Sequence, residues 1–342
     1  MDVSTSILII YTGGTIGMVH EPESGTLVPF DFKHISEQVP ELKRFGYRLE
    51  TLTFENIVDS SDISPDAWTK IAFTIAERYN EFDGFVVLHG TDTMAYSASA
   101  LSFMLENLEK PVIFTGAQLP IGMLRTDGKE NFITAVEIAA ARENGIPMVP
   151  EVCIYFQNRL LRGNRTTKYS SEHFNAFSSP NLQPLAEAGI QIKYNRNIIR
   201  YPTVRRPLSL NTNLDTGIAI LKLFPGIGKG VVSSVLNTEG LHGLVLETFG
   251  TGNAPTLPWF IDELKTFINS GGIVLNVTQC PAGHVEMGLY ETSAGLQSAG
   301  VISGRDITTE AAVAKMMITL GNSWDKEKRE KMLTHSLCGE MS

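Results

Sequence analysis

Apolar runs that end in small polar loops recur along this chain, and two of them share one design. Residues 85–88, Phe-Val-Val-Leu, are too few for a helical pattern and rich in valine, so they predict a buried strand. Beyond them Ala95, Ala98, Leu101, Met104, Leu105 and Leu108 recur at three- and four-residue spacing, which predicts an amphipathic helix. Between the two lies His89-Gly90-Thr91-Asp92-Thr93. At the start of the chain, Ser6-Ile-Leu-Ile-Ile-Tyr11 predicts a strand that runs into Thr12-Gly13-Gly14-Thr15-Ile16-Gly17. A threonine, aspartate or serine before a helix often does no more than cap it. Two strand ends that each set glycine beside a threonine hydroxyl also suit a ligand, because glycine lets backbone N–H groups approach it.

The same reading extends over the rest of the chain. Residues 47–54 alternate loosely as a strand, and Ser64-Pro65-Asp66 opens a helix whose apolar face is Trp68, Ile71, Ala72, Ile75 and Tyr79. That start already has its capping residues, so Asp59, Ser60 and Ser61 are left without an obvious structural duty. A strand near 111–115 ends in Thr115-Gly-Ala-Gln118, and a helix from about 131 to 144 stops at Gly145. Residues 152–156 predict another strand, followed by a segment from Asn158 to Lys168 that reads as a loop too basic and polar for the core. Strands at 217–223, 241–247 and 273–277 alternate with helices at 257–270 and 309–320. This alternation predicts an α/β protein: a larger N-terminal domain with a mixed or parallel sheet, and a smaller C-terminal parallel-sheet, flavodoxin-like domain. Boundaries are expected at 1–190 for the catalytic domain, 191–213 for a linker and 214–342 for the second domain. The linker carries Lys193, Arg196, Arg200, Arg205 and Arg206 but no aromatic stacking platform, so it reads as a solvated connector.

Composition narrows the partners. A chain of 342 residues with 43% hydrophobic and 19% charged residues can build a substantial core. Its net charge of −9 disfavours nucleic-acid and anionic-membrane partners. No apolar run approaches the roughly 20 residues of a membrane helix, and the N-terminus lacks the pattern of a signal peptide. Cys153, Cys280 and Cys338 are widely spaced and odd in number, which suits a reducing, cytoplasmic setting. Cys280 and His284 have no second pair at metal-ligand spacing, so neither a metal nor a cofactor is expected. Gly-x-Gly-x-x-Gly, a Walker lysine and Gly-x-Ser-x-Gly are all missing, and of the 7 histidines only His89 lies in a candidate loop.

What remains is threonine, aspartate and lysine chemistry. A threonine hydroxyl becomes a nucleophile only when a base takes its proton, and a lysine serves as that base once its pKa is lowered. Lys168 is a candidate if Arg162 and Arg165 face it; the plain alternative is a solvated surface charge. Asp92, next to Thr91, can orient the lysine or hold a substrate ammonium.

Tyr11-Thr-Gly-Gly-Thr-Ile-Gly17 and His89-Gly-Thr-Asp-Thr-Met94 closely resemble the signature stretches of bacterial-type L-asparaginases. Asp59-Ser-Ser-Asp62, Thr115-Gly-Ala-Gln118, Arg162-Gly-Asn-Arg-Thr-Thr-Lys168, Gly250-Thr-Gly-Asn-Ala-Pro255 and Thr278-Gln-Cys280 extend the likeness over nearly the whole chain, and the cytosolic type I branch fits best. The resemblance implies that Thr15 attacks the side-chain amide of L-asparagine. Thr91, with Lys168 as base and Asp92 beside it, then activates the hydrolytic water. It implies that Asp59, Ser60 and Ser61 hold the α-carboxylate and amine, with Asp92 also on the amine. Backbone N–H groups near Thr91 and Gln118 would stabilise the oxyanion, and the assembly would be a homotetramer built as a dimer of dimers. The order in which the two threonines act stays open.

Two departures stand out. The flap after the first motif, 20–29, has no tyrosine, so Thr26 or Tyr290 is the expected substitute for one. Glu247 stands where allosteric relatives carry an effector-binding arginine, with Thr278 and Cys280 as the other candidates for an effector site. An amino-acid sensor without turnover and a tRNA-dependent amidotransferase subunit are the competing functions; the second calls for a basic face and an added domain.

Overall fold

The computed structural model describes residues 5–20, 27–29, 39–288 and 291–342, so Thr26 and Tyr290 lie outside the described residues. The chain divides into two units, Met1–Leu210 and Asn211–Ser342.

Eight strands form the main sheet of the first unit: β1 (Ser6–Tyr11), β2 (Arg48–Thr53), β3 (Gly84–Leu88), β4 (Val112–Thr115), β5 (Val152–Phe156), β6 (Arg159–Arg162), β7 (Ala186–Ala188) and β8 (Ile192–Tyr194), in the order β8-β7-β6-β5-β4-β3-β1-β2. β2, β1, β3, β4 and β5 are mutually parallel, whereas β6, β7 and β8 are joined antiparallel. Every residue of β1, β3, β4 and β5 is buried, as continuous apolar runs are in the middle of a parallel sheet. Helices α1 (Pro65–Glu77), α2 (Met94–Met104) and α3 (Gly128–Ala140) supply the crossovers, and α3 packs on β1, β3, β4 and β5. Phe132, Ala135, Val136 and Ala139 of α3 join Ile7, Ile9, Val86, Leu88 and Ile113 in one core.

The second unit is a sheet of β9 (Ile218–Lys222), β10 (Gly243–Thr248), β11 (Ile273–Thr278) and β12 (Ile302–Ser303), all parallel. Its order follows the chain, β9-β10-β11-β12, without the reversal that defines a flavodoxin-like sheet. Helices α4 (Lys229–Leu236), α5 (Pro258–Asn269), α6 (Glu291–Ala299), α7 (Thr309–Gly321) and α8 (Lys326–Thr334) complete it. Leu244, Leu246, Val274, Phe260, Leu264 and Leu296 share its core. Lys315, in the midst of buried α7, meets Glu340 at 2.6 Å with neither side chain exposed. An ion pair of this kind is destabilising to break, since either charge alone would stay buried and uncompensated.

Several sequence-based expectations change. The segment after Phe156 is not a surface loop: Gln157 and Asn158 make a tight turn with φ of 44° and 67°, and β6 returns through the sheet. Arg162, Asn164 and Arg165 are buried at 5%, 0% and 4% exposure. Arg162 can lie there because Glu151, itself 8% exposed, accepts from its Nε at 2.6 Å. Within the stretch 191–213, Ile192–Tyr194 is the edge strand β8, and Ser209–Leu210 pairs with Leu105–Glu106. That pairing also ends α2 at Met104, earlier than its apolar spacing predicted. Among the described residues no helix is long and apolar enough to cross a membrane.

Candidate active site

β1, β3 and β4 lie side by side in register, with Tyr11 opposite Leu88 and Leu88 opposite Thr115. The loops that follow all three therefore leave from one edge of the sheet, the carboxyl edge where ligands bind in such folds. Thr12 ties the first two together, its N–H and hydroxyl both donating to the Leu88 carbonyl at 3.1 and 3.0 Å. Gly13 and Gly14 have φ of 138° and 91°. A Cβ on Gly13 would lie 2.2 Å from the Val58 carbonyl oxygen, and one on Gly14 2.5 Å from the Gly90 nitrogen. A Cβ on Gly90 would in turn stand 2.5 Å from Ser60 Oγ. Only glycine permits this approach, so Thr15, Ser60 and Thr91 are carried on backbones already in contact.

The 89–93 loop is held by its side chains, and none of them caps α2. Thr93 donates its hydroxyl to the Ser60 carbonyl at 2.6 Å. Thr91 Oγ1 lies 2.9 Å from Lys168 Nζ and 3.2 Å from Gln118 Oε1. Asp92 Oδ1 accepts from the same ammonium at 2.5 Å. Lys168 reaches the loop from the short strand Thr167–Lys168, which pairs with Phe177–Ser178. Its side chain is 17% exposed, so it is not the solvated surface charge of the plain reading. The ammonium donates to Thr91, the Thr91 proton goes to Gln118, and the Gln118 Nε2 donates to the carbonyls of Ser171 and His173 at 3.3 and 3.2 Å.

Thr15 opens a one-turn 3-10 helix, Thr15–Gly17, and is half-buried. Among the described residues its hydroxyl has no hydrogen-bond partner, and the backbone N–H groups of Thr91 and Asp92 donate to no protein acceptor. Asp59 does have a structural duty: it caps the 3-10 helix Ser60–Asp62, accepting from Ser61 N–H at 2.9 Å and Ser61 Oγ at 2.8 Å. Those donors hold its carboxyl below the usual range, so it stays ionised and able to meet an ammonium. Ser64, the expected cap of α1, stands at the N-cap position but makes no side-chain cap bond.

His89 is buried and structural. Trp68 Nε1 donates to Ser97 Oγ at 2.8 Å, Ser97 Oγ to His89 Nε2 at 2.9 Å, and His89 Nδ1 to the Gly90 carbonyl at 2.7 Å. One direction of donation satisfies the whole row and places the ring proton on Nδ1. Burial pushes the imidazole down to about 4, so the neutral ring is the one that holds the loop.

Two expectations are corrected. Arg162 faces Glu151 rather than Lys168 and does not supply the lysine with a cationic neighbour. The backbone N–H of Gln118, expected near the oxyanion, already donates to both Asp127 carboxylate oxygens at 3.1 Å. In the second unit Glu247 accepts from Thr309 Oγ1 at 2.7 Å and lies 3.4 Å from Lys222 Nζ. Thr278 Oγ1 donates to the Gly250 carbonyl at 2.6 Å and accepts from Cys280 N–H, leaving an exposed thiol at Cys280. Sequence reasoning missed Asp127, Asn131 and Ser97, which support the loops from beneath; a polar residue inside an apolar helical stripe, as Ser97 and Asn131 are, was the available signal. No group of at least three His, Cys, Asp or Glu arranged to hold a metal occurs among the described residues.

Comparison with known proteins identifies the family. The family model described as asparaginase, N-terminal, matches residues 6–200, and the one described as glutaminase/asparaginase C-terminal domain matches residues 217–333. The chain is 42% identical to L-asparaginase 1 of Escherichia coli (strain K12), over 98% of each protein. It is 40% identical to the 60 kDa lysophospholipase of Mus musculus, over 98% of this chain but only 62% of that longer protein. The crystal structure of L-asparaginase I from Vibrio cholerae superimposes with a TM-score of 0.88 at 41% identity, over 99% of this chain and 100% of that one.

Proposed function

The chain belongs to the asparaginase family, and from that premise we propose that it hydrolyses the side-chain amide of L-asparagine to L-aspartate and ammonia. The observation that carries the assignment to residues is Lys168 Nζ, 2.9 Å from Thr91 Oγ1 and 2.5 Å from Asp92 Oδ1, on a loop whose Gly90 packs against Gly14 of the loop that bears Thr15.

In the proposed reaction Thr15 Oγ1 attacks the amide carbon, and the unengaged N–H groups of Thr91 and Asp92 receive the developing oxyanion. Collapse breaks the carbon–nitrogen bond. The proton lost by Thr15 is relayed through Thr91 and Lys168 to the departing nitrogen, which leaves as ammonia. Water then attacks the aspartyl ester, its proton returning to Thr15 through the same pair. Asp59 and Asp92 receive the substrate ammonium and the Ser60 hydroxyl its α-carboxylate, while Ser61 Oγ acts through Asp59, to which its proton is committed. Gln118 takes part by orienting Thr91, since both its donors are engaged by backbone carbonyls.

We further infer a cytoplasmic homotetramer. Cys153, Cys280 and Cys338 are free thiols, in keeping with a reducing compartment. Exposed Met123, Leu124 and Tyr169, on the loops that follow Gln118 and Lys168, offer an apolar surface for a neighbouring subunit. The engaged carboxylate of Glu247 weighs against an amino-acid effector at Glu247, Thr278 and Cys280. The test is ammonia release by the purified protein from L-asparagine and, separately, L-glutamine. Turnover of L-asparagine is expected; binding without release from either amide would favour a sensor and overturn the proposal.

A further inference from the structure

The loop that carries Gln118 is gripped from below by a carboxylate with no part in the chemistry above. Asp127 occupies the N-cap position of α3 but makes no side-chain cap bond there. Its side chain, in a residue 8% exposed, turns instead to the preceding loop. Both oxygens accept from Gln118 N–H at 3.1 Å, and Oδ1 also accepts from Leu119 N–H at 3.2 Å. Asn131 Nδ2, one turn along α3, donates to Oδ2 at 3.2 Å and to the Gly116 carbonyl at 3.1 Å. Thr126 closes the same turn, its hydroxyl donating to the Leu119 carbonyl at 3.0 Å and accepting from Gly128 N–H at 2.9 Å. Burial raises the Asp127 carboxyl, with the loop N–H groups pulling the other way, so these donors are what compensates a carboxylate out of water.

We propose that Asp127 is a positioning residue that acts through Gln118: by fixing the N–H groups of Gln118 and Leu119 it sets the Gln118 amide between Thr91 and the segment that follows Lys168. The amide has a narrow task. Its Oε1 takes the Thr91 proton, so that the Thr91 oxygen faces the Lys168 ammonium, and its Nε2 ties down Ser171 and His173 just beyond the lysine. A shift of Gln118 frees the Thr91 hydroxyl to rotate and loosens the segment carrying Lys168 together. Misplacement by about 1 Å is enough to lower turnover substantially without disturbing substrate affinity. The assignment rests on the amidohydrolase reading and deepens it.

The test is a double-mutant cycle on the full-length protein with Asp127→Asn and Gln118→Ala, reading kcat and KM for L-asparagine and Tm. Asp127→Asn is expected to lower kcat about tenfold or more, with KM changed less than about threefold. In the Gln118→Ala background the same change is expected to lower kcat by less than about twofold, because its intermediary is gone. Independent, multiplying effects, or an unchanged kcat in Asp127→Asn, would overturn the proposal. If Asp127→Asn does not fold, Thr126→Val replaces it, removing only the hydroxyl that braces the same turn. A smaller loss of kcat that vanishes beside Gln118→Ala is then expected, and a loss that persists there overturns it. Wild-type protein that releases no ammonia would instead sink the amidohydrolase reading itself.

Discussion

Lys168 Nζ donates to Thr91 Oγ1 across 2.9 Å, and the Thr91 proton is already committed to Gln118. The lysine is thus placed to serve either as a base, when neutral, or as a fixed positive charge. Substitution separates the two. Lys168→Met is expected to lower kcat about 10²- to 10⁴-fold, the range of a lost general acid–base group. Lys168→Arg keeps the charge but cannot give up a proton at working pH, so it is expected to be as inactive as Lys168→Met. Steady-state kinetics on both variants, at unchanged Tm, checks this; recovery by arginine would leave only the charge.

The approach of Gly14 to Gly90 makes a second prediction. A methyl at position 14 meets the backbone 2.5 Å away, on a residue whose φ of 91° already disfavours any side chain. Gly14→Ala is expected to abolish ammonia release by moving the Thr15 and Thr91 loops apart, and to lower Tm. Gly46→Ala is the control, since its φ of 69° is also positive but nothing lies within 4 Å of its Cβ. It is expected to cost only backbone strain and to keep activity, measured by the same assay.

Much of the framework was legible because the central strands are buried on both faces, where continuous apolar runs are unambiguous. β1, β3 and β5 fall where residues 6–11, 85–88 and 152–156 predicted them, and the polar loops after β1 and β3 do meet. What sequence hid was polar burial. Arg162 reads as part of a basic loop until Glu151, 11 positions away and just before the neighbouring strand β5, is seen beside it. Gln118 reads only as a neighbour of the oxyanion site until its side-chain amide is found between Thr91 and two carbonyls, because a side chain's partners depend on loops distant in sequence. The start of α3 at Gly128 was missed because glycine is a poor helix former. Here it is suited to close packing, a Cβ lying 2.9 Å from that of Ala117.

Burial of His89 predicts a pH-dependent stability with a definite sign. The folded-state pKa of about 4 lies below the ordinary 6.5, so the unfolded chain binds the extra proton between those values. The contribution is present at neutral pH and is lost as pH falls from about 6.5 toward 4, by up to roughly 3 kcal/mol. His89→Gln, which does not titrate, is expected to show a smaller fall in Tm between pH 7 and pH 4.5 than the wild type. Equal falls in the two proteins would contradict the assignment.

The Arg162–Glu151 pair predicts a stability effect apart from chemistry. Glu151→Gln leaves Arg162 buried beside a neutral amide and is expected to destabilise the first unit by about 3–5 kcal/mol. Urea unfolding followed by fluorescence measures it; a change below about 1 kcal/mol would mean that the charge is compensated elsewhere.

The most direct test of the reaction proposed here is ammonia release from L-asparagine by Thr15→Ala, compared with the wild type at matched fold and Tm. Removal of the attacking hydroxyl is expected to lower kcat by about three orders of magnitude or more, because no acyl-enzyme can form. Turnover within about tenfold of the wild type would contradict the account, since Thr15 could then not be the nucleophile.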